Sequence, residues 1–157
     1  MTQILVKDLL DQYQRTFQMI REEIERFDPA QWVKGIDFFQ SPVKVTMHIV
    51  DCLDFYFRED TQAKYHWGHR FGGGWWELTD EQLPSPAALL EYNSEIEARV
   101  TAHLSALDDA ALSQPSPDED AATLLGHYIY ALRHTLHHHG ELAALSIYHG
   151  NPGGSWA

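Results

Sequence analysis

Two histidines four residues apart, His134 and His138 in the stretch HTLHHHGEL, carry the spacing in this 157-residue chain that best suits chemistry. At about 100° of rotation per residue, imidazoles at i and i+4 leave one helix face a turn apart, close enough to grip one divalent ion. The same arc gathers other groups. Taking His134 as the reference, His127, Tyr130, Glu141 and Leu145 fall within about 40° of it, so the face an amphipathic helix usually gives to Lys, Glu and Asp is here His, Tyr and Glu. Such a stripe suits the lining of a site. The pair alone does not make a metal centre, and a further ligand must come from elsewhere in the chain.

His48 is the candidate for that ligand. It stands in an apolar stripe with Val45, Cys52 and Phe55, where a histidine is either a hydrogen-bonded core residue or a ligand. Cys52, one turn on, makes His48/Cys52 a competing soft pair for zinc, and it reads equally well as a small buried hydrophobe. Asp51 either orients the His48 ring or is solvated. Glu141 could coordinate directly or accept a hydrogen bond from a ligand imidazole. His137 either replaces one of the helical pair or borders the site, and Tyr130 and His127 line it. His139 points away as a packing or surface residue, while His66, His69, His103 and His149 read as solvent-side.

These side chains need helices to hold them. Residues 3–27 repeat Ile4, Leu5, Leu9, Tyr13, Phe17, Ile20 and Ile24 at spacings of mostly three and four, which predicts an amphipathic helix closed by Asp28-Pro29. Residues 28–41, with Trp32, Phe38 and Phe39, read as a packed loop. Ser41-Pro42 opens a second helix to about Asp60, and Ser85-Pro86 a third over 86–107. Between them, 61–85 is rich in Gly, Trp and His, and reads either as a lid tied down by tryptophans or as the wall of a substrate pocket. After an acidic loop at 108–120, where Ser116 and Glu119 have the spacing of a capping box, the last helix runs to about Tyr148. Its line of Leu125, Ile129, Leu132, Leu136, Ala143 and Ile147 reads as the face for burial. Trp156, in the tail, is either mobile or seated in a local groove. The predicted fold is all-α, a four-helix bundle with long connections, in a single domain over 1–157.

Composition narrows the function. Eleven Lys and Arg against 23 Asp and Glu give a net charge of −12, and a surface so acidic repels phosphate backbones, which excludes a nucleic-acid partner. No apolar run is long enough to span a membrane and no export signal opens the chain. A single cysteine fits a reducing compartment, so the expected location is cytoplasmic.

The residues His48, in S-x6-H-I-x-D, and 134–142, HTLHHHGEL, resemble those of the DinB-like (DinB/YfiT-like) metal-binding four-helix bundles. The family's last-helix motif is H-x-x-x-H followed closely by G-Q-L. Here His139 stands where Arg is common and Glu141 where Gln is common. The resemblance implies a three-histidine site of His48, His134 and His138. Three imidazoles leave open positions on the ion, as catalytic sites do, and suit Zn or Ni foremost, with Fe or Cu as alternatives. Some relatives are transferases or isomerases that use a low-molecular-weight thiol at the metal. The leading expectation is therefore a metal-dependent S-transferase, isomerase or hydrolase acting on a small molecule, with Glu141, Tyr130 and His137 lining the site. The alternative is a non-catalytic, metal-binding homodimeric bundle serving as a binding or stress-response module.

Overall fold

Five helices account for most of the chain: α1 (Ile4–Ile24), α2 (Pro29–Trp32), α3 (Pro42–Tyr56), α4 (Pro86–Ser105) and α5 (Leu124–Tyr148). The computed structural model describes residues 3–36, 41–119, 121–154, 156 and 157. Among these there is no strand, only an isolated bridge between Pro115 and Thr123. The protein is all-α. The four long helices touch in a ring, with α1 against α4 and α5, and α3 against the same two.

α1 buries Leu9, Tyr13, Phe17, Ile20 and Ile24 along one stripe, as its periodicity predicts, and its end at Ile24 falls short of the expected 27. Asp28 does not simply close it. The Asp28 carboxylate accepts from the N–H groups of Ala30 and Gln31, while Gln31 accepts from Asp28 N–H, and this reciprocal cap nucleates α2 inside the expected loop. Trp32 is buried there and donates its indole N–H to Pro84 O at 2.9 Å. Phe38 and Phe39 lie outside the described residues.

α3 ends at Tyr56 rather than near 60, and twelve of its fifteen residues are buried. Neighbouring helices cover three sides of a bundle helix at most, so the fourth cover must come from elsewhere. It comes from the connection after it. Gly68 N–H donates to Asp51 Oδ2 at 3.0 Å, Tyr65 OH donates to Asp54 Oδ2 at 2.7 Å, and Trp67 stacks on Phe55 with centroids 5.4 Å apart. Tyr92 OH, from α4, also donates to Asp54 at 2.8 Å, and Arg99 pairs with it. Burial alone would raise the Asp54 pKa, but the bonds from Tyr65, Arg99 and Tyr92 more than offset this and hold it below the usual carboxylate value. The connection is a pinned wall.

Gly68 permits the pinning. Its φ is +70°, and a Cβ there would sit 1.9 Å from the Gly73 carbonyl oxygen. Gly68→Ala is expected to cost at least about 1–2 kcal/mol from the left-handed backbone alone, with the clash added. Urea unfolding monitored by tryptophan fluorescence reads this as a lower midpoint.

α5 starts at Leu124, where Thr123 Oγ1 accepts from Gly126 N–H at 3.2 Å. The Ser116 and Glu119 spacing does not mark the start of this helix, and Ser116 Oγ accepts from Asp118 N–H at 3.2 Å. One expectation is corrected on this helix. The arc that packs inward carries His127, Tyr128, Ala131, Thr135, His139, Leu142, Leu145 and Ser146, whereas Ile129 and Ile147 of the apolar line are 50% and 62% exposed. Leu125 and Leu132 of that line still pack against the core beside the inward arc, so the line sits on the flank of the helix rather than at its buried centre. Beyond α5 the chain turns at Gly150 (φ +80°) and returns to α1, where Arg26 Nη1 donates to Gly153 O at 2.8 Å and pairs with the buried Glu23 at 2.7 Å. Trp156 is 89% exposed, so it does not fill a groove.

Candidate metal centre

Because α3 and α5 pack side by side, their histidines meet. His48 Nε2 lies 3.1 Å from His138 Nε2, and the ring centroids are 4.4 Å apart for His48–His138, 4.6 Å for His134–His138 and 5.2 Å for His48–His134. Cys52 Sγ is 3.7 Å from His48 Nδ1. One donor atom from each of His48, Cys52 and His134 can be chosen so that all lie within 4.8 Å of one another, a grouping that could hold a metal ion. His134 Nδ1 is buried with no hydrogen-bond partner among the described residues. Crowded imidazole nitrogens and an orphaned one are what remains when a shared positive charge is left out of such a cluster, so the donor set fits a divalent ion.

The electrostatics agree. Burial, then the neighbouring imidazoles of His138 and His134, lower the His48 pKa to about 4, and burial with His138 and His137 nearby lowers that of His134 to about 4 as well. Both rings therefore present neutral lone pairs at neutral pH. Burial, with Asp51 adding to it, pushes the Cys52 thiol up to about 12, so without a metal the sulfur keeps its proton.

Around the cluster, His138 Nδ1 is 2.8 Å from Glu141 Oε2. An Nδ1–H donating there leaves Nε2, the atom facing His48, as the lone pair. Tyr130 lies parallel to the His134 ring at 6.4 Å, and Tyr56 meets it edge-on at 6.0 Å. Trp75, carried by the pinned connection, stands edge-on to His48 at 5.9 Å. The pocket-wall reading of 61–85 accords with the place of Trp75, which tertiary packing brings to the cluster, whereas Tyr56 is not among the site residues that the sequence singles out. His137 stands at the rim: its ring meets that of His138 edge-on at 4.9 Å, its side chain is 69% exposed and its Nε2 is 3.6 Å from Glu141 Oε1. Asp51 has its Oδ2 committed to Gly68 N–H rather than to His48. His127, expected to line the site, is buried with Nε2 3.0 Å from Tyr56 O. His139 is buried at the α1 contact beside Glu23. His149 is not simply solvent-side, since its Nε2 lies 2.8 Å from Lys34 O.

A family model described as the DinB superfamily matches residues 9–142, which takes in His48, His134 and His138. The chain belongs to the DinB superfamily. No curated protein and no solved structure gives a significant match. None of the helices of this DinB protein is long and apolar enough to cross a membrane, among the described residues.

The lowered pKa values make the metal-free DinB chain acid-sensitive. His48 and His134 bind protons more weakly folded, at about 4, than at the ordinary imidazole value of 6.5, so acid favours the unfolded chain. Stability is intact above about 6.5 and falls as pH drops towards 4. Two half-buried groups are expected to remove about 2 kcal/mol between pH 7 and 5, after discounting for partial exposure. Urea midpoints of metal-stripped protein across that range check it, and an unchanged midpoint contradicts it.

Proposed function

We propose that this DinB protein, read as a single four-helix-bundle domain with long connections, is a cytoplasmic metalloenzyme that holds a divalent transition metal on His48, His134 and His138. Zn or Ni fits the imidazole set first, with Fe or Cu as alternatives. The supporting observation is the meeting of one α3 imidazole with two from α5, all within 5.2 Å between centroids. A bound ion with open positions would acidify a water or thiol and polarise a carbonyl. The chain's own groups supply the rest. Glu141 holds the His138 Nδ1 proton and so fixes which nitrogen faces inward. Tyr130, Tyr56 and Trp75 wall the histidines with rings that limit water and suit a small organic substrate. His137 stands at the exposed rim. The reaction class is thiol-dependent S-transfer, isomerisation or hydrolysis, with a low-molecular-weight thiol as co-substrate.

Elemental analysis of purified protein, together with a screen of thiol transfer to electrophiles, tests this. Stoichiometric metal with metal-dependent turnover is the expected result, and protein that takes up no metal overturns it.

A second reading, a non-catalytic homodimeric binding or stress-response module, draws support from α5. Ile129, Ile147 and Tyr148 are exposed on a helix whose only Lys, Arg, Asp or Glu residues are Arg133 and Glu141. In a chain of net charge −12, that face lets two copies meet with little carboxylate repulsion. Metal binding without any turnover, and a dimer mass that Ile129→Glu converts to a monomer by light scattering, would favour this module.

A further inference from the structure

His138 stands between two sets of donors. Its Nε2 faces His48 at 3.1 Å, and its Nδ1 faces Glu141 Oε2 at 2.8 Å. The other Glu141 oxygen, Oε1, is 3.6 Å from Nε2 of His137. One donor atom each from His137, His138 and Glu141 can be chosen within 4.8 Å of one another, a second grouping able to hold a metal ion besides the one that contains His48, Cys52 and His134. All three residues belong to one helix. Positions 137 and 141 are one turn apart on the same edge, so side-chain rotation alone can bring ligand atoms to bonds of about 2.0–2.2 Å. Two imidazole nitrogens and a carboxylate oxygen form a donor set suited to first-row divalent metals. With the His137 and Glu141 side chains 69% and 38% exposed, an ion reaches them from solvent and water can complete its shell.

We propose that this edge of α5 is a second, outer divalent-cation site, made by His137, Glu141 and Nδ1 of His138, which shares His138 with the inner three-histidine centre. The sharing rests on the inner reading, but the outer donors do not require His48. Binding the outer ion displaces the Nδ1 proton of His138 to solvent, and with both ions in place that ring joins them as an imidazolate. Exposure makes the outer site the weaker of the two.

Titration of metal-stripped protein with Zn²⁺, by calorimetry and by elemental analysis after equilibrium dialysis, tests the proposal. Two equivalents of unequal affinity are expected in the unaltered protein. His137→Ala should keep the tight equivalent and weaken the other at least tenfold, Glu141→Gln should weaken the outer equivalent at least tenfold, and His48→Ala should lose the tight one and keep the outer one. A single equivalent in the unaltered protein, or a weak equivalent that survives in both the His137→Ala and Glu141→Gln proteins, overturns the outer site. A tight equivalent untouched by His48→Ala would instead overturn the inner reading. Loading with Cu²⁺ checks the shared ring: magnetic coupling should reduce the paramagnetic resonance signal per copper when the second equivalent is added, and additive signals would refute sharing.

Discussion

His134→Ala is expected to leave the purified protein without stoichiometric metal. The His134 ring is one of three that converge from α3 and α5, and its Nδ1 is buried with no partner among the described residues. Removing a group that merely orients a ligand costs 10- to 100-fold in metal affinity, on the order of 1–3 kcal/mol, so deleting a ligand outright should cost more than 100-fold. The fold should tolerate the change. The ring is half-buried and held neutral by its surroundings, and its loss also removes a group whose protonation favours unfolding. Elemental analysis beside a urea melt of the metal-free protein separates the two effects. The expected pair is metal lost and midpoint kept, and unchanged metal content would remove His134 from the ligand set.

Asp54→Ala should have the largest effect on stability. Asp54 accepts from Tyr65 and Tyr92 and pairs with Arg99, so one buried carboxylate ties the pinned connection to α3 and α4. Its removal strands the Arg99 charge, whose side chain is 34% exposed, and takes an acceptor from the Tyr92 hydroxyl, while Tyr65 OH keeps the Asp51 carbonyl at 3.1 Å. Breaking a fully buried pair costs about 3–5 kcal/mol, and the partial exposure of Arg99 places this case near about 3 kcal/mol. Urea unfolding measures the loss. Arg99→Met in the same background distinguishes the causes: if the stranded charge dominates, the double variant recovers part of the stability, and if the lost phenol bonds dominate, it recovers none.

The helices were legible wherever a 3.6-residue period met a stop signal. The Ile4–Ile24 stripe, Ser41-Pro42 and Ser85-Pro86 all mark the elements that formed. α2 was not, because a single-turn helix has no period to read and rests on the exchange between Asp28 and Gln31. Spacing singled out His134 and His138, the family resemblance added His48, and the structure brings the three rings together. The orientation of α5 was harder to read. Its buried arc mixes polar and small residues, His127, Ala131, Thr135, His139 and Ser146, with Leu142 and Leu145, so hydrophobicity along the helix does not mark it. Trp75 lay in the stretch read as a lid or a pocket wall, but nothing local placed its ring beside His48; contacts such as the bond from Gly68 to Asp51, seven residues away, hold its segment.

His48 and His138 are 90 residues apart along the chain. Their rings meet only where α3 packs on α5, so the full three-histidine set forms with the tertiary fold rather than within a local segment, unlike the ligands of a small zinc-nucleated module. An ion held on all three rings would therefore load onto the folded protein rather than the nascent chain. Any ion taken up then adds its binding free energy to the whole fold, and metal supply becomes a control on how long each molecule survives.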